Sequence, residues 1–247
     1  MNHKIKQSGF TLIELLLAMT FISVLLLTIA MTIVQIANIY NRGIILKEVN
    51  STSRALSDEL GSALRGSSTF STDTTAKRYV TNAWGGRMCL GQYTYVWNYG
   101  TALSSVNSNR NQYSGPNTSG NTVIDSNGTV RYEISFVKVS DAGGMYCIAD
   151  GTGKYPNINP TGAVELLRTG DHSLAIHAFS VVSNLTSKDA LSGQQLFKIT
   201  YTLGTSDLNA LNSDQSACKA PSTSGADFNY CADEQFTLVL RVVSGVN

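Results

Sequence analysis

Charge is scarce in this chain of 247 residues. Asp, Glu, Lys and Arg together make up 14%, against an ordinary ~25%. The 18 basic and 17 acidic side chains leave a net charge of +1. A protein that holds nucleic acid by bulk phosphate attraction needs a basic surplus, so that class is excluded and no specific nucleic-acid partner is expected. Proline is rarer still. There are four, and none precedes Pro116, so no ring interrupts a helix over the first 115 residues. There are three histidines, His3, His172 and His177. No His-Glu-x-x-His or Gly-x-Ser-x-Gly pattern occurs. The run Gly151-Thr152-Gly153-Lys154 lacks the upstream glycine spacing of a phosphate loop, and Tyr155 stands where that loop needs Ser or Thr. No enzyme is expected.

What is present begins with one long apolar block. Residues 1–9 are short, polar and basic, with Lys4 and Lys6. From Phe10 to Ile39 the only charged residue is Glu14. The core of the block, Leu15 to Val34, is 20 residues with Thr20, Ser23, Thr28 and Thr32 as its polar members. About 20 apolar residues in a helix cross a bilayer. The block is too long for a secretory signal, whose apolar region is ~7–15 residues. It is too unbroken for the core helix of a soluble domain. A plain membrane anchor has the right length but gives no reason for a carboxylate in hydrocarbon, which is expensive and usually functional.

The run Lys6-Gln7-Ser8-Gly9-Phe10-Thr11-Leu12-Ile13-Glu14-Leu15-Leu16-Leu17-Ala18-Met19 resembles the class III signal of type IV pilins and type II secretion pseudopilins. The resemblance implies cleavage after Gly9 by a prepilin peptidase and N-methylation of the new terminus, Phe10. It also implies that Glu14, the fifth mature residue, meets the Phe10 amine of a neighbouring subunit and sets the register of packed helices. Physical chemistry allows that pairing. A carboxylate and an amine 4 Å apart attract by ~4 kcal/mol at an effective dielectric of 20. The alternative is that Glu14 snorkels or caps the helix N-terminus. The leader lysines hold the N-terminus in the cytoplasm, with the bulk of the chain outside.

Beyond Ile39 the pattern turns amphipathic. Leu46, Val49, Ser53, Leu56, Leu60 and Leu64 mark one helical face, with Ser53 a small polar gap. Arg54 and Asp58 stand four apart on the other face and could pair. One helix is therefore expected from Phe10 to Arg65, ending at Gly66-Ser67-Ser68. Many pilins carry a proline near the twenty-second mature residue. Met31 occupies that place here, leaving Gly43 as the candidate for local loosening. Residues 53–65 (Ser-Arg-Ala-Leu-Ser-Asp-Glu-Leu-Gly-Ser-Ala-Leu-Arg) also resemble this part of J-type pseudopilins and their pilus counterparts, minor subunits of the filament tip.

After Phe70 the hydrophobic period falls to two. Strands are expected at 92–97, 130–139, 144–149, 173–182, 195–203 and 235–243, half-buried and antiparallel with one face on the helix. Asp125-Ser126-Asn127-Gly128 is a hairpin signal. The long polar stretches 99–121 and 204–234 are loops of a size that is usually functional or disordered. Cys89, Cys147, Cys218 and Cys231 lie in this outer part. Four cysteines in an extracytoplasmic domain suggest two disulfides, with three possible connectivities. Cys218 with Cys231 is favoured, since it closes the second polar loop and resembles the C-terminal disulfide loop of many major pilins; Cys89 with Cys147 then remains. Without a Cys-x-x-Cys pair a zinc site is not expected. Calcium at Asp125–Gly128 or Asp150-Gly151 is a weaker option than a plain turn.

The expected fold is α+β and pilin-like: residues 1–9 a leader, 10–39 the membrane or filament-core half of a helix, 40–66 its amphipathic half, and 67–247 a β-rich head outside the cytoplasm. The resemblance implies a minor type IV pilin in the assembly-initiating tip complex. A J-type secretion pseudopilin, or a tip adhesin gripping a surface ligand through its polar loops, are the alternatives. Implied partners are other pilin or pseudopilin subunits, the prepilin peptidase and an inner-membrane assembly platform. The implied location is the cytoplasmic membrane, then a pilus or pseudopilus.

Overall fold

A computed structural model describes residues 11–67, 78–82, 85–99, 135–149, 151, 155–156, 163–167, 174–183, 189, 191–205, 210–213, 217–220, 222–226 and 231–242. It is α+β. Among the described residues the one α-helix, α1 (Leu12–Arg65), runs 54 residues, about 81 Å at 1.5 Å per residue. It passes Gly43 without interruption. Its N-cap is Thr11, in extended conformation, so the helix begins two residues later than the hydrophobic pattern suggests. Gly66 ends it, donating its N–H to Ser62 O.

The first part of α1 is apolar on every side and lies against nothing among the described residues; it is long and apolar enough to cross a bilayer. Its hydroxyls are turned inward on the helix. Thr20 donates to Leu17 O at 2.9 Å, and Ser23, Thr28 and Thr32 donate to Met19, Leu25 and Thr28 carbonyls at 2.8 Å. No hydroxyl in that stretch therefore needs water, which is the condition for lying in lipid.

From Ile45 onward one stripe is buried: Ile45, Val49, Thr52, Ser53, Leu56, Leu60, Gly61 and Leu64. Each large apolar member contributes about 1.5–3 kcal/mol by leaving water. Ile45, not Leu46, starts the stripe, and Leu46 is 37% exposed. Both fit a 3.6-residue period, and the head decides between them. Arg54 and Asp58 do not pair; the acid on this helix that finds a cation is Glu59.

Eight described strands form two antiparallel sheets. The first has the order β1 (Tyr79–Asn82), β2 (Gly85–Cys89), β3 (Tyr93–Asn98), β4 (Phe136–Ser140) and β5 (Val164–Glu165). The second is β6 (Leu174–Ser183), β7 (Gln195–Thr205) and β8 (Asp233–Val242), with β7 central. The helix rests on β8 and β7. Tyr201 on β7 meets Ser53 and Ser57, while Leu240 on β8 lies beside Gly61. The sheets join where Tyr99 bridges to Ile176, and an aromatic row crosses the joint. Ring centroids are 6.0 Å apart for Tyr79–Trp97, 4.3 Å for Trp97–Phe179, 6.2 Å for Phe179–Tyr201 and 5.5 Å for Tyr201–Phe236.

In the head the structure corrects the sequence reading in three places. Residues 144–149 are not a strand. Gly143 and Gly144 have φ of 94° and 70°, a region open to glycine, and a 3-10 turn follows at Met145–Cys147. Asp141 holds this corner by accepting the N–H groups of Met145 and Tyr146 at 2.8 and 3.2 Å. β1, β2 and β5 are strands without a clear period of two in their sequence. β2 reads Gly-Gly-Arg-Met-Cys and is buried along its whole length, so it has no alternation to detect. The first sheet also has both faces covered at β2 and β3. Arg87, fully buried, donates through Nη1 to the carbonyls of Tyr146 and Pro156 and holds the segment behind the sheet. The hairpin signal at 125–128, the strand segment 130–134 and the calcium candidate Asp150 lie outside the described residues.

Gly86 pairs with Trp97 across β2 and β3. A Cβ there would run into the Trp97 indole, and Trp97 is fully buried. Gly86→Ala is expected to destabilise the head by about 1–3 kcal/mol, the usual cost of overpacking, read by urea denaturation of the full chain in detergent. A loss too small to resolve would show that the indole shifts freely.

Candidate functional site

The start of α1 is the site to which the sequence gives most weight. Thr11 and Glu14 form a reciprocal capping box. Glu14 N–H donates to Thr11 Oγ1 at 3.4 Å. Glu14 Oε2 accepts the Thr11 N–H at 2.9 Å and the Thr11 hydroxyl at 2.8 Å. The Thr-x-x-Glu spacing causes this, because residues three apart on the first turn face each other. Gly9 and Phe10 lie outside the described residues. In the monomer, then, Glu14 caps its own helix through one carboxylate oxygen. Among the described residues Oε1 has no hydrogen-bond partner. An ionised carboxylate offers about four lone-pair sites, so self-capping leaves Glu14 able to take a further donor.

At the other end of α1 the helix is fixed to the head by polar contacts that the hydrophobic pattern does not display. The Tyr201 hydroxyl donates to Ser53 O at 2.9 Å and accepts from the Ser53 and Ser57 hydroxyls, each at 2.8 Å. Ser53 is the gap in the apolar stripe, and the phenol fills it. Six residues on, Glu59 Oε1 accepts from the Tyr95 hydroxyl at 2.6 Å and pairs with Lys138 Nζ at 2.6 Å. Lys138 and then Tyr95 hold the Glu59 carboxyl below its usual range. Burial and the adjacent carboxylate push the Tyr95 phenol upward. The only trace of Tyr201 in the sequence was the alternation of β7, and nothing marked Lys138.

The structure brings Cys89 to Cys147 and Cys218 to Cys231. The first bridge ties β2 to the 3-10 turn. The second closes a 13-residue separation, for which the chain-entropy model gives about 3 kcal/mol. No group of three or more His, Cys, Asp or Glu side chains stands together as a metal site among the described residues. His172 lies outside those residues. His177 sits at a bulge in β6, where the register slips between Ile176 and Ala178. Its Nε2 lies 3.1 Å from Thr205 O and so carries the proton, while Nδ1 is buried without a partner among the described residues.

No protein-family model, curated protein or solved structure matches this chain.

Burial lowers the affinity of His177 for a second proton, against the opposing pull of Thr205 O and the Asp233 carboxylate. Unfolded, the imidazole protonates near pH ~6.5; folded, it does so only at lower pH. Its contribution to stability is thus complete above that value and declines as pH falls below it. His177→Gln keeps a donor for Thr205 O and cannot titrate. Denaturation midpoints from pH 7.5 down to about 5 should drop less in this variant than in the parent. Equal slopes would assign the pH dependence to other groups.

Proposed function

We propose that this chain is a minor subunit of a type IV pilus or of a type II secretion pseudopilus, and that it works by assembly and not by turnover. The observation that carries the reading is one unbroken helix with two surfaces. Its first half is apolar all round and uncovered. Its second half carries a disulfide-closed β head on a single stripe. A soluble domain has no use for the first half, and a plain anchor has no use for so long a rigid continuation. The Lys6 to Glu14 pattern supports the same reading, as does the Oε1 of Glu14, which has no hydrogen-bond partner among the described residues.

The resemblance implies the sequence of events. The peptidase cuts after Gly9 and frees the Phe10 amine at the cytoplasmic face. Glu14 keeps its cap on Thr11 and takes a neighbour's Phe10 amine with its remaining oxygen, which fixes the stagger between adjacent helices. Moving an apolar helix from lipid into a bundle of similar helices brings little hydrophobic gain, since lipid tails are as apolar as leucine. Extraction therefore calls for an external motor on the inner-membrane platform. The head remains outside the cytoplasm throughout, an oxidising setting that suits its two disulfides. The likeness of residues 53–65 to J-type subunits favours a place at the filament tip.

Two variants test this. Gly9→Val should retain residues 1–9, seen as the unprocessed mass of the N-terminal peptide. Glu14→Ala should be trimmed normally yet fail to co-purify with partner subunits or enter filaments. Normal incorporation of Glu14→Ala would remove the registration role.

A further inference from the structure

A cleft of about 200 Å³ opens between the last turns of α1 and the β3–β4 face, lined by Glu59, Ser62, Leu90, Gln92, Tyr93 and Lys138 among others. Three separate elements converge there, so its groups are held in advance of any ligand. Lys138 is fixed on two sides, by Glu59 Oε1 at 2.6 Å and by the Tyr93 ring, whose centroid lies 4.1 Å from Nζ. Fixing costs Lys138 only part of its hydrogen-bonding capacity, since an ammonium has three donors. Glu59 likewise uses Oε1 for both Tyr95 and Lys138, and Oε2 has no partner among the described residues. The cleft thus presents a carboxylate acceptor beside an ammonium donor, both only part-exposed, with the exposed side chains of Gln92 and Ser62 at its rim. Tyr93, 40% exposed, supplies an aromatic surface, and Leu90 an apolar floor.

These features select among ligands. The pair is neutral overall. A free anion drawn to Lys138 would meet the Glu59 carboxylate, and a free cation drawn to Glu59 would meet the ammonium. A diol suits both, because one hydroxyl can donate to Glu59 Oε2 while its neighbour accepts from Lys138. The C–H groups of a ring then meet the part of Tyr93 that Lys138 leaves exposed, with Leu90 beneath. The volume is below the ~300–1,000 Å³ that encloses a drug-sized ligand, which matches one sugar unit and not a whole oligosaccharide. We propose that this cleft binds a single pyranose unit of a saccharide through vicinal hydroxyls held by Glu59 and Lys138. The inference rests on the last turns of α1 and the sheet beside them, and stands whether or not the chain enters a filament.

The test uses the full chain in a detergent without a sugar headgroup, with glucose, galactose, mannose and N-acetylglucosamine as probes. Saturation-transfer NMR should show transfer to ring C–H protons of at least one of them. Ser62→Phe changes an exposed helix position, fills the cleft and leaves the ion pair in place; it should abolish the transfer. Lys138→Met should weaken binding by about tenfold or more. Thermal unfolding of each variant shows whether the head is intact. No transfer from any of the four sugars, or transfer that persists in Ser62→Phe, overturns the proposal and leaves the Glu59–Lys138 pair a fastening between helix and sheet.

Discussion

Backbone hydrogen bonding in two unlike surroundings is the constraint on which this molecule depends. Along its first half α1 has no neighbour among the described residues, and in lipid it would have no water either. Every amide there must be satisfied within the helix. The chain meets this condition by omission as much as by content. There is no proline before Pro116, and each of the four hydroxyls between Leu15 and Val34 bonds back to a carbonyl of the preceding turn. At the very start, where four N–H groups lack intrahelical partners, Thr11 and Glu14 close on each other. The same continuity carries the helix into its second half, where packing takes over from hydropathy as the source of order.

That second half is where the head gains its orientation. The apolar stripe from Ile45 to Leu64 would by itself permit some sliding along the sheet, because its repeat is regular. The Tyr201 hydroxyl, shared between Ser53 and Ser57, allows one register only, and Glu59 with Tyr95 and Lys138 ties down the far end. Between these two points the aromatic row from Tyr79 to Phe236 joins both sheets, so the five-stranded and three-stranded parts share one core.

How much of this could be read from the sequence differs by element, for physical reasons. The helix was legible because an apolar run of membrane length, followed by a stripe of 3.6-residue period, suits no other regular backbone. β6, β7 and β8 were legible because each hides one face, and alternation records that. β2 was not, since a strand covered on both faces and built around Gly86 and Arg87 has no alternation to show. The corner at Met145–Cys147 was misjudged because Tyr146 and Cys147 suit a strand, while the two positive-φ glycines and the Asp141 cap that bend the chain act through geometry. Glu14 stood out as the lone charge in the apolar run, but its box with Thr11 did not, because the apolar pattern runs on through Phe10 and carries the expected helix past its true cap. The partnership of Glu59 with Lys138 could not be read either, because the two residues lie on α1 and β4 and nothing local connects them.

The continuity of α1 has a mechanical side. A helix about 81 Å long with no proline and no break at Gly43 has no hinge in its own backbone to take up rotation at its foot. Each degree of tilt at the Thr11 end sweeps the Arg65 end sideways by about 1.4 Å for that length. The angle at which the lower half is seated therefore sets where the outer half stands relative to its surroundings, with the helix acting as a lever.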